Sequence, residues 1–342
     1  MAEDTFQQIH EIGFKRLIDK FKTHTGTEHP AVRRGIGDDA SVIVHEEASA
    51  ICTTTEVFLE GVHFDLTYTP FNYLGYKIVT AAVSDILAMN ALPEQVLIGL
   101  AIPNKYSVQM MEDLYRGVDA ACRDYGIQLT GGDTTASHQL LSVSVTATGA
   151  APADKLIYRD GAQLGDIVCV TGDLGSALAG LRVLMREKKA WQESRSESQF
   201  QPDLHEYEFA VQKQLVPKAR KDLIESIAES DIRPTSLIDV TQGLISELGS
   251  VAKSSGLGME VYSPAVPIAL ETRRIADEMN EDVDKYAFYG GEDFEMVFTI
   301  PEESVEKFKS DFDDFVVIGR MTEKEKQLTI NTGEDKSYQL EL

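Results

Sequence analysis

The chain has 342 residues, which at roughly 150 residues per domain predicts two domains, and its 43% hydrophobic and 26% charged residues exclude a fibrous or disordered chain. Its 32 Lys+Arg against 56 Asp+Glu give a net charge of −24, so neither nucleic acid nor an anionic membrane is the expected partner, and an anionic substrate would need help from a metal. Cys52, Cys122 and Cys169 are odd in number and scattered, which fits buried thiols rather than a disulfide framework or a zinc site. The acidic start Met1-Ala2-Glu3-Asp4 and the lack of any run of about 18 apolar residues predict a cytoplasmic protein.

Alternating stretches around Ser41–Val44 and Ala50–Thr53 predict a hairpin or two neighbouring strands. Leu74, Ile78, Ala81, Asp85 and Met89 share one face of a helix that starts near residue 70 and ends before Pro93. A strand over Gln95–Ile102 and an amphipathic helix over Ser107–Tyr125 follow. Strands at Ile127–Leu129 and Leu140–Thr148 are expected to flank a Gly131-Gly132 turn, giving a mixed α/β half. After a break at Ala151-Pro152, a strand over Asp166–Val170 and a helix from about Leu174 open the second half. The polar residues 187 to 207 predict a surface loop, Pro217 a helix start, Leu237–Val240 a strand, Leu244–Ser254 a helix and Glu295–Ile300 a strand.

Acids beside glycine carry the functional signal. Gly35-Ile36-Gly37-Asp38-Asp39-Ala40 fits a dinucleotide fingerprint only on paper, because paired carboxylates repel a pyrophosphate and a strand, not a helix, is predicted next. No P-loop or protein-kinase element is present. Asp85 sits in an apolar stripe, where a bare carboxylate costs several kcal/mol unless it is paired or holds a cation. Asp133 after Gly131-Gly132 and Glu292-Asp293 after Gly290-Gly291 repeat the theme of acid next to glycine. Each alone is an ordinary turn. Together they predict oxygen-rich binding of hard divalent ions, with magnesium as the cation suited to carboxylates, water and phosphates.

At these motifs the sequence resembles the thiamine-monophosphate kinases, of the ATP-binding superfamily that also contains aminoimidazole ribonucleotide synthetase and selenophosphate synthetase. The resemblance runs from about residue 10 to residue 321. It rests on Gly35-Ile36-Gly37-Asp38-Asp39-Ala40, Glu60-Gly61-Val62-His63-Phe64, Ser84-Asp85-Ile86-Leu87-Ala88-Met89, Gly131-Gly132-Asp133-Thr134-Thr135, Val170-Thr171-Gly172-Asp173-Leu174-Gly175, Ile238-Asp239-Val240-Thr241-Gln242-Gly243-Leu244 and Gly290-Gly291-Glu292-Asp293-Phe294-Glu295.

The resemblance implies an α/β (α+β) protein with the two-domain aminoimidazole ribonucleotide synthetase-like fold. Residues 1–150 would form a mixed-sheet domain that binds ATP and metal and dimerises, and residues 151–342 a C-terminal α/β domain. The implied reaction is magnesium-dependent transfer of the ATP γ-phosphoryl group to thiamine monophosphate, giving thiamine diphosphate and ADP, in a cytoplasmic homodimer. It further implies Asp39, Thr54, Thr55, Glu56, Asp85, Asp133 and Asp239 as metal ligands for several Mg²⁺ ions. Gly132, Asp133, Arg159 and Thr241 would contact ATP, and His63 and Glu292 the substrate. Positioning and charge neutralisation, rather than a general base, would carry the transfer, since a phosphate nucleophile is already ionised. Three departures from the family pattern stand out. Glu56 replaces an Asp, Gln242 replaces a second acid after Asp239, and the aromatic tail is not recognisable in residues 336–342, where Tyr338 is the nearest candidate. They leave open a related phosphotransferase with another substrate, or a nucleotide- or thiamine-phosphate-binding protein that has lost transfer.

Overall fold

The computed structural model describes residues 32–34, 38–46, 49–194, 204–333 and 336–340. Strands β1 (Val32–Arg34), β2 (Ser41–Glu46), β3 (Ser49–Leu59), β4 (Leu92–Pro103), β5 (Gln128–Ser137) and β6 (Ser142–Ala151) form a six-stranded sheet ordered β1-β2-β3-β6-β4-β5. It is antiparallel except for the β4–β5 pair. Helices α1 (Phe71–Ala88) and α2 (Val108–Tyr125) cover one of its faces. Ser107 starts α2 by accepting the Met110 N–H at 3.3 Å, and Gly126 ends it in the left-handed conformation. The other face is open: Ile51, Val57, Leu92 and Leu97 are exposed on it among Thr55, Ser144 and Thr146.

A second sheet has seven strands: β7 (Ile167–Thr171), β8 (Ser236–Asp239), β9 (Gly258–Tyr262), β10 (Met296–Ile300), β11 (Phe315–Thr322), β12 (Leu328–Gly333) and β13 (Lys336–Leu340). Their order is β13-β12-β9-β11-β7-β10-β8, with β9–β12 the parallel pair. Strands β7, β8 and β10 are buried along their whole length, which is why they read as unbroken apolar runs rather than alternating ones. Around them lie α3 (Ser176–Glu193), α4 (Glu208–Leu215), α5 (Lys221–Glu229), α6 (Leu244–Ser255), α7 (Leu270–Met279), α8 (Val283–Tyr289) and α9 (Val305–Asp311). The mixed α/β class and two-sheet architecture agree with the expectation from sequence. Among the described residues no helix is long and apolar enough to cross a membrane, and all three cysteines are free and buried.

Helix α1 joins the two sheets. It packs on β3, β4 and β6 on one side and on β8 on another, and one apolar cluster runs from Leu74, Ile78 and Ile86 through to Leu237, Phe294 and Phe298. Every residue from Leu74 to Ala88 is buried, so α1 is enclosed on all sides rather than along the single stripe that periodicity predicts.

Three expectations are corrected. Gly131-Gly132 is not a turn but lies inside β5, because β5 pairs alongside β4 for its whole length. The polar segment from 187 is helical as far as Glu193, with Arg186 and Lys188 pairing to Glu187, Glu278 and Asp65; residues 195–203 of that predicted loop lie outside the described residues, and its end, His205–Tyr207, is a single 3-10 turn. The helix expected at Pro217 begins at Lys221, after α4 has already ended at Leu215.

Candidate active site

Strand periodicity sends Thr54 and Glu56 of β3 towards α1 and sends Thr55 to the open face. Thr55 bonds there to the Thr146 hydroxyl at 3.2 Å. On the helix side, Thr54 Oγ1 donates to Asp85 Oδ2 at 2.6 Å, and the Glu56 carboxyl lies close enough to that of Asp85 for the two acids to interact. The preceding residue on α1, Ser84, donates to Asp239 Oδ2 at the end of β8. Neighbouring residues of one buried helix thus reach acids on both sheets. Asp38 and Asp39 close the group through Arg159, whose Nε lies 3.2 Å from Asp38 and which also pairs with Asp39.

These acids are crowded in a dry place. Burial pushes the carboxyls of Asp39 and Asp85 well above the ordinary carboxylate range, and the field of their acidic neighbours, Asp239 among them, adds to it. Burial likewise raises Asp239, to about 7, against the Ser84 hydrogen bond that opposes it. Glu56 rises for the same leading reason. Among the described residues Arg159 is the guanidinium that offsets charge on both Asp39 and Asp239, and Asp39 Oδ2 is buried with no hydrogen-bond partner there. A cluster of carboxylates held against its own charge, with an orphaned oxygen, fits a site for a hard cation. Among the described residues no three His, Cys, Asp or Glu side chains form a cage for a metal by themselves.

Next to this cluster lies a cavity of about 640 Å³, lined by Glu56, His63, Tyr68, Lys77, Thr241 and Glu292 among others. His63 is placed by a turn whose Glu60 carboxylate accepts from the Leu141 N–H (2.8 Å), the Tyr106 hydroxyl (2.7 Å) and Lys105 (2.6 Å). Its Nδ1 accepts the Leu59 N–H at 3.0 Å, so the neutral ring carries its proton on Nε2. Glu292 sits in a loop with left-handed backbone at both Glu292 (φ 63°) and Phe294 (φ 53°), each at a cost of about 1–3 kcal/mol that persists only where the surroundings impose it. They do: Glu292 N–H bonds to Thr241 O at 3.0 Å, Phe294 N–H to Val240 O at 3.1 Å, and buried Asp293 accepts the Gly175 and Ala177 N–H groups at the start of α3. A larger apolar cavity of about 1270 Å³ adjoins this one at Tyr68 and Leu215, but none of Glu56, His63 or Glu292 lines it.

The structure therefore brings together Asp39, Thr54, Glu56, Asp85, Arg159 and Asp239, with His63, Thr241 and Glu292 beside them. It does not bring Gly132 and Asp133 to them within one chain. Asp133 is in register with Gly99, Ser144 and Val57, on the open face and three strands from β3, about 14 Å at ~4.8 Å per strand. Tyr338 pairs with Ile330 on β12, near Asp282, Asp284 and Tyr289, and does not line the cavity. Sequence reasoning missed Ser84, Glu247, whose carboxylate accepts the Gln242 N–H at 3.0 Å, and Lys77. The available signal was polar residues inside an otherwise apolar helix: Lys77, Thr80 and Ser84 all lie in α1 beside Asp85.

Two sheets bridged by a buried helix, with acids at their junction, define the class. The AIR synthase related protein N-terminal domain family matches residues 37–151, and the corresponding C-terminal domain family matches 163–331. The thiamine-monophosphate kinase of Aquifex aeolicus is 32% identical over 319 residues, covering 93% of this chain and 94% of that protein. Its Bacillus subtilis counterpart is 32% identical over 310 residues, covering 90% and 87%. Among solved structures, AaThiL complexed with AMPPCP and TMP superposes with a TM-score of 0.81 at 29% identity, over 98% of this chain and 99% of that one. The chain belongs to the thiamine-monophosphate kinase family.

Proposed function

We propose that the protein transfers the γ-phosphoryl group of ATP to thiamine monophosphate. The bond from the terminal phosphorus to the bridging oxygen breaks, its electron pair leaving with ADP, while an oxygen of the acceptor phosphate forms the new bond and gives thiamine diphosphate. The observation that carries this reading is the junction itself, an acid cluster under electrostatic strain that opens beside a cavity with room for a small substrate.

In this reading Asp39, Glu56, Asp85 and Asp239 hold magnesium, with Thr54 fixing the orientation of the Asp85 carboxylate. When bound there, magnesium supplies neutralisation of charge on phosphoryl oxygens. Glu56 keeps the carboxylate of the family's Asp through its contact with Asp85. Gln242 gives its N–H to Glu247, so that acid, rather than position 242, supplies the negative charge here. Arg159 and Thr241 orient the nucleotide, and His63 and Glu292 orient the acceptor. We place residues 1–150 and 151–342 as the two domains. We also propose a homodimer in which a second copy covers the open face of the six-stranded sheet, where Ile51, Val57, Leu92 and Leu97 are exposed. Thr55, Gly132 and Asp133 lie on or beside that face, so any part they play in binding runs through the second copy. With ATP as donor, the cytoplasm is the compartment proposed.

The test is ADP release with MgATP and a panel of thiamine, thiamine monophosphate and unrelated phosphate monoesters. The expected result is release with thiamine monophosphate alone. Release with another monoester in its place makes this a related phosphotransferase; ligand binding without release makes it a binding protein.

A further inference from the structure

Lys77 is a charged side chain at the site with no role so far. It is 3% exposed in the middle of α1, with Nζ 2.7 Å from Glu292 Oε2 and 3.0 Å from the Gln214 carbonyl oxygen. Desolvating a lysine costs several kcal/mol even when it is paired, and an apolar side chain would fill such a place more cheaply. The pair is not sealed in the core. Both partners line the cavity, and the Glu292 side chain is 30% exposed. The remaining charged lining is acidic, Glu56 and Asp65, so Lys77 is the one ammonium or guanidinium among the lining residues. It lies two turns of α1 before Asp85, about 12 Å along the axis, on a cavity that Glu56 of the acid cluster also lines.

The acceptor proposed above carries two opposite charges, a cationic thiazolium ring and an anionic phosphate. A cavity that already holds one cation and one anion in contact can receive such a molecule by exchange, each charge meeting a new partner, so that no buried charge is left alone. Resting on that reading of the acceptor, we propose that the Lys77–Glu292 ion pair is a place-holder for the substrate's own charges. On binding, the acceptor phosphate takes Lys77 Nζ and the thiazolium takes the Glu292 carboxylate. Lys77 is then the residue that distinguishes the phosphorylated acceptor from the unphosphorylated one.

The test is equilibrium binding of thiamine monophosphate and of thiamine to the full chain, with Mg²⁺ and without ATP, for wild type, Lys77→Met, Lys77→Arg, Glu292→Gln and the double variant Lys77→Met/Glu292→Gln. Wild type is expected to prefer thiamine monophosphate. Lys77→Met is expected to cut that preference by about ten- to a hundredfold, the worth of one charge-assisted hydrogen bond, almost wholly through weaker binding of the phosphorylated ligand. Lys77→Arg should recover part of it, and Glu292→Gln should weaken both ligands in parallel. The double variant leaves no buried charge unpaired, so it reads out the preference even if Lys77→Met does not fold, and it too should show little preference. If Lys77→Met or the double variant keeps the wild-type preference, losing affinity for both ligands equally, Lys77 only supports the fold and the proposal is overturned. If wild type binds neither ligand, the proposed acceptor is wrong and the exchange goes with it.

Discussion

Gly131-Gly132-Asp133 and Gly290-Gly291-Glu292-Asp293 look alike in sequence and do different things in the fold. In both, the second glycine is required by a close approach of backbone: a Cβ at Gly132 would lie 1.9 Å from Ile98 O, and one at Gly291 2.4 Å from Thr241 O. There the likeness ends. The first segment stays within the edge strand β5, just past an irregularity in its pairing with β4, and leaves Asp133 exposed, with its own neighbour's N–H, from Thr134 at 2.8 Å, as its hydrogen bond. The second folds into a loop with two left-handed non-glycine residues, buries Asp293 against the start of α3 and presents Glu292 to the cavity. The pattern of acid beside glycine therefore marks where backbone comes close to backbone, while the surrounding sheet decides whether the acid becomes a structural tie, a cavity wall or a surface group.

The sharpest way to break this contrast is to remove each acid. Asp293→Ala strips the partner from two buried N–H groups and should lower unfolding stability by about 1–3 kcal/mol, whereas Asp133→Ala should stay within about 0.5 kcal/mol of wild type. Denaturant unfolding of the two variants decides it, and equal losses would mean that Asp133 is as buried as its counterpart.

A smaller effect should appear in the pH dependence beside the second segment. Asp239 moves from its ordinary 3.8 to about 7 on folding, so between those values the folded protein binds more protons than the unfolded one. Its contribution to stability therefore falls as pH rises from about 4 to about 7 and stays low above that. A cation bound among the acids relieves that cost where they are ionised. Magnesium should then raise the thermal midpoint by several degrees at pH 8 and by much less at pH 5, with chelator as the blank. An equal shift at both pH values would remove these acids from the metal site.

Much of this was legible in the sequence, for identifiable reasons. Strands β7, β8 and β10 and helices α2 and α6 follow from apolar runs and capping residues that act locally. Asp85 stood out because a carboxylate in an apolar stripe is costly anywhere. What the sequence could not show depends on pairing between distant segments. Gly131-Gly132 reads as a turn until β4 is laid beside it, and Thr54-Thr55-Glu56 reads as one ligand group until the strand's alternation parts its middle member from the other two. Lys77 is marked only as a polar residue within an apolar helix, and its burial follows from the enclosure of that helix by two sheets. Ser84 and Asp239 are 155 positions apart, and no local rule joins them.

The central claim is that the buried acids at the junction serve phosphoryl transfer to thiamine monophosphate. Its most direct test is a mass-resolved assay for thiamine diphosphate, with ATP, thiamine monophosphate and a titration of Mg²⁺, on wild type and Asp85→Asn. The account predicts product that requires Mg²⁺, and a fall of about 10²–10³-fold in kcat for Asp85→Asn, while thermal unfolding shows that variant to be at least as stable as wild type, because a buried charge has been removed. Product formed by Asp85→Asn at the wild-type rate, or no product from wild type at any Mg²⁺ concentration, would contradict it.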